Sequence, residues 1–232
     1  MKLSILIPVY NEESTVGEVI EQVLAVELPG IEKEIIVVDD GSTDGTAEVL
    51  KKEQSENADL VTVYSSRQNF GKGMAIRIGL KYATGDITLI QDADLELDPK
   101  EYGILLTPIL GGRASVVYGS RFLSGTNRIP WKSRLAERIL TLLIRALYGV
   151  RITDEATAYK AFKTEVLRDL DLHCIGFEFC PEVTAKLLKR GHTIIEVPIT
   201  YQPRTRVEGK KIRFLRDGLI AFYTLLKYRI SD

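Results

Sequence analysis

Short apolar runs alternate with amphipathic stretches through the first half of the chain. Residues 3–9, 34–38, 60–64, 86–90 and 115–118 are mostly apolar runs of strand length. Between them, residues 13–26, 43–52, 74–83 and 99–110 carry apolar positions at helical spacing, such as Val16, Ile20, Val23 and Leu24. Ser42 precedes the second of these helices as a predicted N-cap, and Pro99 opens the fourth. Strand and helix in strict alternation predict an α/β fold, a mainly parallel sheet with helices on both faces. Three of the strands end in acidic or glycine-rich loops. In such sheets ligands bind beyond the carboxyl ends of the strands, so these loops are expected to converge on one crevice.

The second half reads differently. A helix near 131–149 carries Leu135, Ile139, Leu142, Leu143 and Leu147, surrounded by Arg128, Lys132, Arg134, Arg138 and Arg145. Residues 177–190 read as a helix and 194–200 as a strand. A last helix, 213–229, sets Leu215, Leu219, Phe222, Leu225 and Leu226 on one side. The first and last of these helices fit two roles, packing in a core or dimer interface, or lying apolar face down on a membrane. Residues 1–110 hold nine Lys/Arg against 20 Asp/Glu, a net of −11, while residues 111–232 hold 22 against 12, a net of +10. An acidic half suited to metal thus adjoins a basic half suited to anions. Without internal repeat or linker, residues 1–232 read as one domain with a functional boundary near residue 111.

Other features narrow the class. Hydrophobic residues at 45% and charged residues at 27% are ordinary for a soluble globular protein. Two cysteines, Cys174 and Cys180, make neither a disulfide framework nor a four-ligand zinc site, and are expected to be reduced and structural. His173 and His192 lack ligand spacing. No apolar run approaches the ~20 residues that span a bilayer, and Met1-Lys2 leads directly into a strand rather than a signal peptide. No helix-turn-helix or RNA-recognition signature accompanies the basic half, which argues against nucleic acid.

The chemistry concentrates at Asp92 and Asp94, one residue apart at the end of the run 87–90. Two hard oxygen donors there suit Mg²⁺ or Mn²⁺, and such an ion suits a diphosphate. After the first strand comes IPVYNEE at 7–13, where Tyr10 offers a flat face for a base and Glu12 an acceptor. After the second comes VVDDGSTDGT at 37–46, where Asp39 or Asp40 can accept from a pyrimidine imide or a guanine edge. The segment GKGMA at 71–75 matches neither the nucleotide-triphosphatase phosphate loop nor the dinucleotide fingerprint. Its lysine can still lie near a phosphate at a helix start.

Taken in order with GSRF at 119–122 and YQPRTRVEGKK at 201–211, these motifs resemble the family 2 inverting glycosyltransferases of GT-A fold. The nearest branch is the dolichol-phosphate mannose synthase-like group. The resemblance implies that Pro8, Tyr10, Glu12, Val38 and Asp40 hold the nucleotide of a sugar donor. It places Asp92 and Asp94 at the metal and diphosphate, Ala93 between them at the nucleotide sugar, and Glu96 as a further metal ligand. Arg121, Arg204 and Lys210 match basic positions that face donor or acceptor phosphates, with Asp92, Asp94 and Arg121 as the catalytic group. Two segments depart from the pattern. The chain has VEGKKI at 207–212 where mannose synthases usually carry Gly-Glu-Ser-Lys, and Ala158 where glycine is common. Both lie toward sugar and acceptor.

The implied reaction is transfer of a hexose from a GDP- or UDP-sugar to a polyprenyl phosphate, with Mg²⁺ or Mn²⁺. Residues 1–110 would serve the nucleotide sugar and 111–232 the acceptor and membrane. A hydroxyl acceptor would need a carboxylate base. Asp154, Glu178 and Glu182 are candidates, each of which can equally pair with a basic neighbour or cap a helix. An acceptor phosphate needs no base. Two rivals stand beside this reading: a family 2 enzyme with a saccharide hydroxyl acceptor, and a nucleotide-sugar-binding subunit without turnover. On the lipid reading the protein sits peripherally at the cytoplasmic face of a membrane, by itself, through an anchoring partner, or as a homo-oligomer.

Overall fold

In the computed structural model, residues 1–125, 127–204 and 214–231 are described, with the side chains of Phe214 and Leu215 left out. The strands are β1 (Lys2–Val9), β2 (Glu32–Asp39), β3 (Val61–Ser65), β4 (Ile87–Ile90), β5 (Val116–Ser120), β6 (Lys160–Lys163) and β7 (Ile194–Pro198). They form a seven-stranded sheet in the order β3-β2-β1-β4-β6-β5-β7. β1 to β4 pair in parallel, β6 runs antiparallel to both β4 and β5, and β7 is parallel to β5. This is the mainly parallel, helix-flanked sheet that the strand and helix alternation implied.

Helices α1 (Val16–Ala25), α2 (Thr46–Glu56), α3 (Lys72–Tyr82), α4 (Tyr102–Leu110), α5 (Trp131–Tyr148), α6 (Thr164–Asp169), α7 (Phe179–Lys189) and α8 (Phe214–Ile230) cover it. Because side chains alternate along a strand, each strand feeds two cores. Ile5, Ile7, Val37 and Leu89 pack with α1 and α4 on one face. Leu6, Ile36, Val38 and Ile90 pack with α3, α6 and α7 on the other. A third cluster, including Leu140, Ile144, Ala185, Ala221 and Leu225, joins α5, α7 and α8.

Several predicted elements shift. The helix expected from residue 13 begins at Val16, because residues 12–15 form a turn in which the Val16 N–H donates to the Glu12 carbonyl (2.9 Å). Ser42 is not an N-cap; α2 starts at Thr46, and Glu13 and Asp44 accept from the Gly45 and Thr46 N–H groups. Residues 99–101 form a 3-10 turn before α4. β6 and α6 were not foreseen. β6 is only Lys-Ala-Phe-Lys, and its first residue is a fully buried lysine. Lys160 is tolerated because its ammonium donates to the carbonyls of Glu155 (2.7 Å) and Thr157 (2.5 Å) and lies 4.1 Å from the Tyr118 ring centroid.

Candidate active site

The carboxyl ends of β1, β2 and β4 converge, and their loops are stitched together. After β1, Asn11 takes a left-handed conformation (φ 49°), which asparagine tolerates. Its side chain accepts from the Thr43 N–H (2.8 Å), and its own N–H donates to Ser42 Oγ (2.9 Å). After β2, Asp39 accepts from the Ser42 N–H and Asp40 from the Phe70 and Gly71 N–H groups. Burial raises the Asp40 carboxyl above its ordinary range despite those two donors. Gly71 has φ 117°, and a Cβ there would come within 2.7 Å of the Ile175 carbonyl oxygen. Only glycine lets the start of α3 dock against residues 174–177, where the Gly73 and Met74 N–H groups meet the carbonyls of Gly176 and Ile175. The first turn of α3 is therefore already satisfied by protein rather than left for a phosphate.

These loops line a cavity of about 470 Å³. Pro8, Tyr10, Glu12 and Asp40 line it from β1, β2 and the loops after them, Asp92, Ala93, Asp94 and Glu96 form its floor after β4, and Arg121, Tyr201 and Arg204 also border it, Arg204 directly on Glu12 and Asp94. The position of the acidic pair is fixed from behind. Gln91, fully buried, accepts from the Tyr102 (2.9 Å) and Tyr159 (2.7 Å) hydroxyls and donates to the Asp92 carbonyl (3.0 Å).

Two cations hold the acids. Lys72 Nζ contacts Asp92 Oδ1. Arg204 forks onto Glu12 (2.9 and 3.2 Å) and reaches Asp94 Oδ2 (2.7 Å), while its N–H donates to Glu96 (2.7 Å). Burial, then the charges of Asp92 and Glu96, push the Asp94 carboxyl up to about 7 against the pull of Arg204. The site is crowded with negative charge.

Among the described residues, no three carboxylate, histidine or cysteine side chains converge to hold a metal. Of the three expected metal ligands, Asp94 contacts the Arg204 guanidinium, Glu96 accepts from the Arg204 N–H, and Asp92 contacts Lys72. Val38 is not among the residues that line the cavity. Strand alternation turns its side chain away from the cavity and under α3, beside Leu6 and Leu80. Glu12 is bound to Arg204. Lys210 lies outside the described residues.

Arg121 lines the cavity and is paired with protein groups. Its guanidinium forks onto Asp154 (Nε to Oδ2 2.7 Å, NH2 to Oδ1 2.6 Å), lies 4.0 Å from Glu137 and stacks near Tyr201. Despite burial, Asp154 and then Glu137 hold its pKa above the ordinary arginine value. Its charge is already spent on the protein.

The three candidate bases are likewise engaged. Asp154 binds Arg121, Glu178 accepts from the Ile175 and Gly176 N–H groups, and Glu182 pairs with Lys186 (2.8 Å). None of them lines the cavity. Glu155 and Glu137 do, along with Lys72, Phe179 and Cys180. Of these, only Lys72 carried a sequence signal, as the lysine of GKGMA. Glu155 was masked by its acidic neighbour, and Cys180 read as structural.

Comparison with known proteins agrees with this geometry. Residues 4–171 match the family described as Glycosyl transferase family 2. The chain is 31% identical over 233 residues to a dolichol-phosphate mannosyltransferase of Pyrococcus furiosus, covering 98% of this chain and 64% of that protein's length. It shares its fold with glucosyl-3-phosphoglycerate synthase of Mycobacterium tuberculosis. One crystal structure of that enzyme, with Mn²⁺, UDP and glucosyl-3-phosphoglycerate, gives a TM-score of 0.76 at 22% identity over 100% of this chain and 81% of the other. A second, with Mg²⁺ and UDP, gives 0.76 at 22% identity over 100% and 80%. With its GT-A-like sheet and the acidic pair at the end of β4, this chain belongs to glycosyl transferase family 2.

Proposed function

We propose that the protein is a metal-dependent, inverting glycosyltransferase that moves a hexose from a nucleoside diphosphate sugar to a polyprenyl phosphate. The observation that carries this reading is the floor of the cavity, where Asp92 and Asp94 lie at the carboxyl end of β4 with Lys72 and Arg204 on them. Tyr10 and Asp40 border the end suited to the base, and the diphosphate lies over the acidic pair.

The donor set fits Mg²⁺ or Mn²⁺. Mg²⁺ in particular is usually held by one or two carboxylates plus substrate phosphates rather than by an all-protein cage. Asp92 and Asp94 supply the carboxylates, and burial, followed by the charges of Asp92 and Glu96, raises the Asp94 carboxyl, so a divalent cation here would meet acids that lack enough positive partners. Bound there, such an ion would stabilise negative charge on the departing diphosphate. Lys72 and Arg204 add fixed positive charge to the same end in a water-poor cavity, where it acts strongly. Gln91 and its two tyrosines keep the acids in place.

The acceptor assignment rests on different features. Each carboxylate that the sequence offered as a base is engaged elsewhere, as expected for an acceptor that arrives as an anion. The cavity extends to α5 and α8, where Leu140, Gly218 and Ala221 line it. Outside it, Trp131, Leu135, Ile139 and Leu142 on α5 and Leu219, Phe222, Tyr223 and Ile230 on α8 are exposed. Exposed Lys132, Arg134, Arg138, Arg145, Arg216, Lys227 and Arg229 lie among them. That pattern suits an anionic membrane surface. No helix among the described residues is long and apolar enough to cross a membrane. The similarity to a dolichol-phosphate mannosyltransferase supports the same class of acceptor.

The test is calorimetric titration with GDP and UDP, with and without Mn²⁺, followed by transfer from the matching hexose conjugate to a short polyprenyl phosphate. One nucleotide should bind in a metal-dependent way, and Asp92→Asn or Asp94→Asn should weaken that binding by about tenfold or more. Folded protein that binds neither nucleotide would overturn the reading.

A further inference from the structure

We propose that Glu155 holds hydroxyl groups of the transferred hexose and so sets which sugar this chain accepts. The inference rests on reading the cavity as a sugar-nucleotide site. Glu155 is fully buried and lines that cavity, yet neither of its carboxylate oxygens has a hydrogen-bond partner among the described residues. The Lys160 charge and the nearby Thr184 hydroxyl pull its carboxyl down against burial, with neither at hydrogen-bond geometry to its oxygens. Leaving a buried acceptor unmade is costly, more so for a charged one, so a carboxylate kept in this state points to a missing ligand.

The backbone around it is held firmly. Glu137 Oε1 from α5 accepts the Glu155 N–H, and Glu137 Oε2 accepts the Ala156 N–H (3.4 Å). Lys160 binds the Glu155 and Thr157 carbonyls. Glu196 accepts from the Thr153 and Asp154 N–H groups. The nearest basic side chains are spent on other partners: Lys160 on carbonyls and the Tyr118 ring, Arg121 on Asp154. The protein thus positions a two-oxygen acceptor and withholds the cations that would satisfy it.

Location and charge select the ligand. Glu155 lines the same cavity as Asp92 and Asp94, and Cys180, also on its wall, lies close to both Glu155 and the Lys72–Asp92 pair. With a diphosphate over that floor, the sugar extends toward Glu155. Arg121 and Lys160 are bound to protein groups, and burial holds the Glu137 and Glu155 carboxyls toward their neutral forms, so this end offers no free cation to an anion. A neutral polyol is suited to it, since two adjacent hydroxyls can donate to the two oxygens of one carboxylate.

The experiment uses whichever of UDP-glucose or GDP-mannose the wild-type protein binds, in a series with each sugar hydroxyl replaced by hydrogen or fluorine. Neither replacement can donate. In the wild type, one or two adjacent ring positions should lose about tenfold in affinity by calorimetry. In Glu155→Gln the same replacements should cost less than about twofold, while the bare nucleotide binds as in the wild type. An unchanged position profile in the variant overturns the proposal. So does equal weakening of the bare nucleotide, which marks a structural role, and so does loss of turnover with the profile intact, which marks a proton acceptor. If the variant fails to fold, a wild-type profile without any sensitive hydroxyl overturns it. Failure of the cavity reading itself is distinct, since the wild type then binds no nucleotide.

Discussion

Replacing Glu155 with glutamine should change stability in a strongly pH-dependent way. In the folded protein, burial is the main cause that raises this carboxyl to about 7, from 4.5 for an ordinary glutamate. That gap corresponds to about 3 kcal/mol. Its sign follows from proton binding. Between pH 4.5 and 7 the folded protein holds this proton and the unfolded chain releases it. Stability therefore falls as pH rises through that window and levels off above it. Glutamine has no proton to lose, so the variant lacks this slope. Its amide brings a pH-independent cost of about 1–3 kcal/mol for unmatched hydrogen bonds. The informative quantity is the difference between conditions. Relative to the wild type, Glu155→Gln should gain about 3 kcal/mol between pH 4.5 and pH 8. Glu137 works in the same direction. Burial, then Asp154 and Glu155, raises its carboxyl, and removing one of these neighbours lowers it again. Urea denaturation of both proteins at pH 4.5, 6 and 8 measures this. A stability difference that stays flat across the three pH values would refute the reasoning.

Two further outcomes follow from residues outside the cavity. Glu34 accepts from Ser4, from the N–H and hydroxyl of Thr84 and from Gly85, and pairs with Lys2, tying β1, β2 and the turn before β4 together. Although burial opposes it, these partners, Lys2 first, lower its carboxyl to about 2, so its contribution is present above pH 4.5 and lost as pH falls toward 2. Glu34→Gln should cost about 1–3 kcal/mol at pH 7 and much less near pH 2, as read from denaturation at the two pH values. Trp131 is 69% exposed on α5 and Leu219 70% exposed on α8. Replacing both with aspartate should reduce co-sedimentation with anionic vesicles by about tenfold or more while leaving the melting temperature in place; unchanged sedimentation would remove these helices from the membrane argument.

The sheet was legible because its parallel strands are buried on both faces and read as mostly apolar runs, as in residues 3–9 and 87–90. The floor of the cavity was legible for the opposite reason: Asp92 and Asp94 follow such a run with no packing role. Partnership was not legible. Arg121, Glu12 and Glu96 look like ligands in a motif, and folding gives them protein partners from 33, 192 and 108 residues away. β6 was hidden because its alternation is Lys-Ala-Phe-Lys, and burial of Lys160 depends on carbonyls that periodicity cannot see. The roles of α5 and α8 stayed open because both readings were partly correct. Their inner faces pack in the third core and their outer faces remain exposed.

Charge at the cavity floor links the two halves of the proposed donor site. Asp92, Asp94, Glu12 and Glu96 bring four negative charges, and Lys72 and Arg204 bring two positive ones. The imbalance helps to keep Asp94 near 7, since Asp92 and Glu96 follow burial among its causes. A diphosphate arriving alone would compete with the carboxylates for Lys72 and Arg204 and deepen the surplus. A divalent cation arriving alone would offset it but leave coordination positions to water. Together they satisfy one another, with the carboxylates on the cation and the two basic side chains on phosphate oxygens. Nucleotide and metal should therefore bind with positive coupling, each raising the affinity of the other by the same factor. Arg121 takes no part in this balance, because Asp154 already neutralises it. Its place is to hold, through Asp154, the loop that carries Glu155.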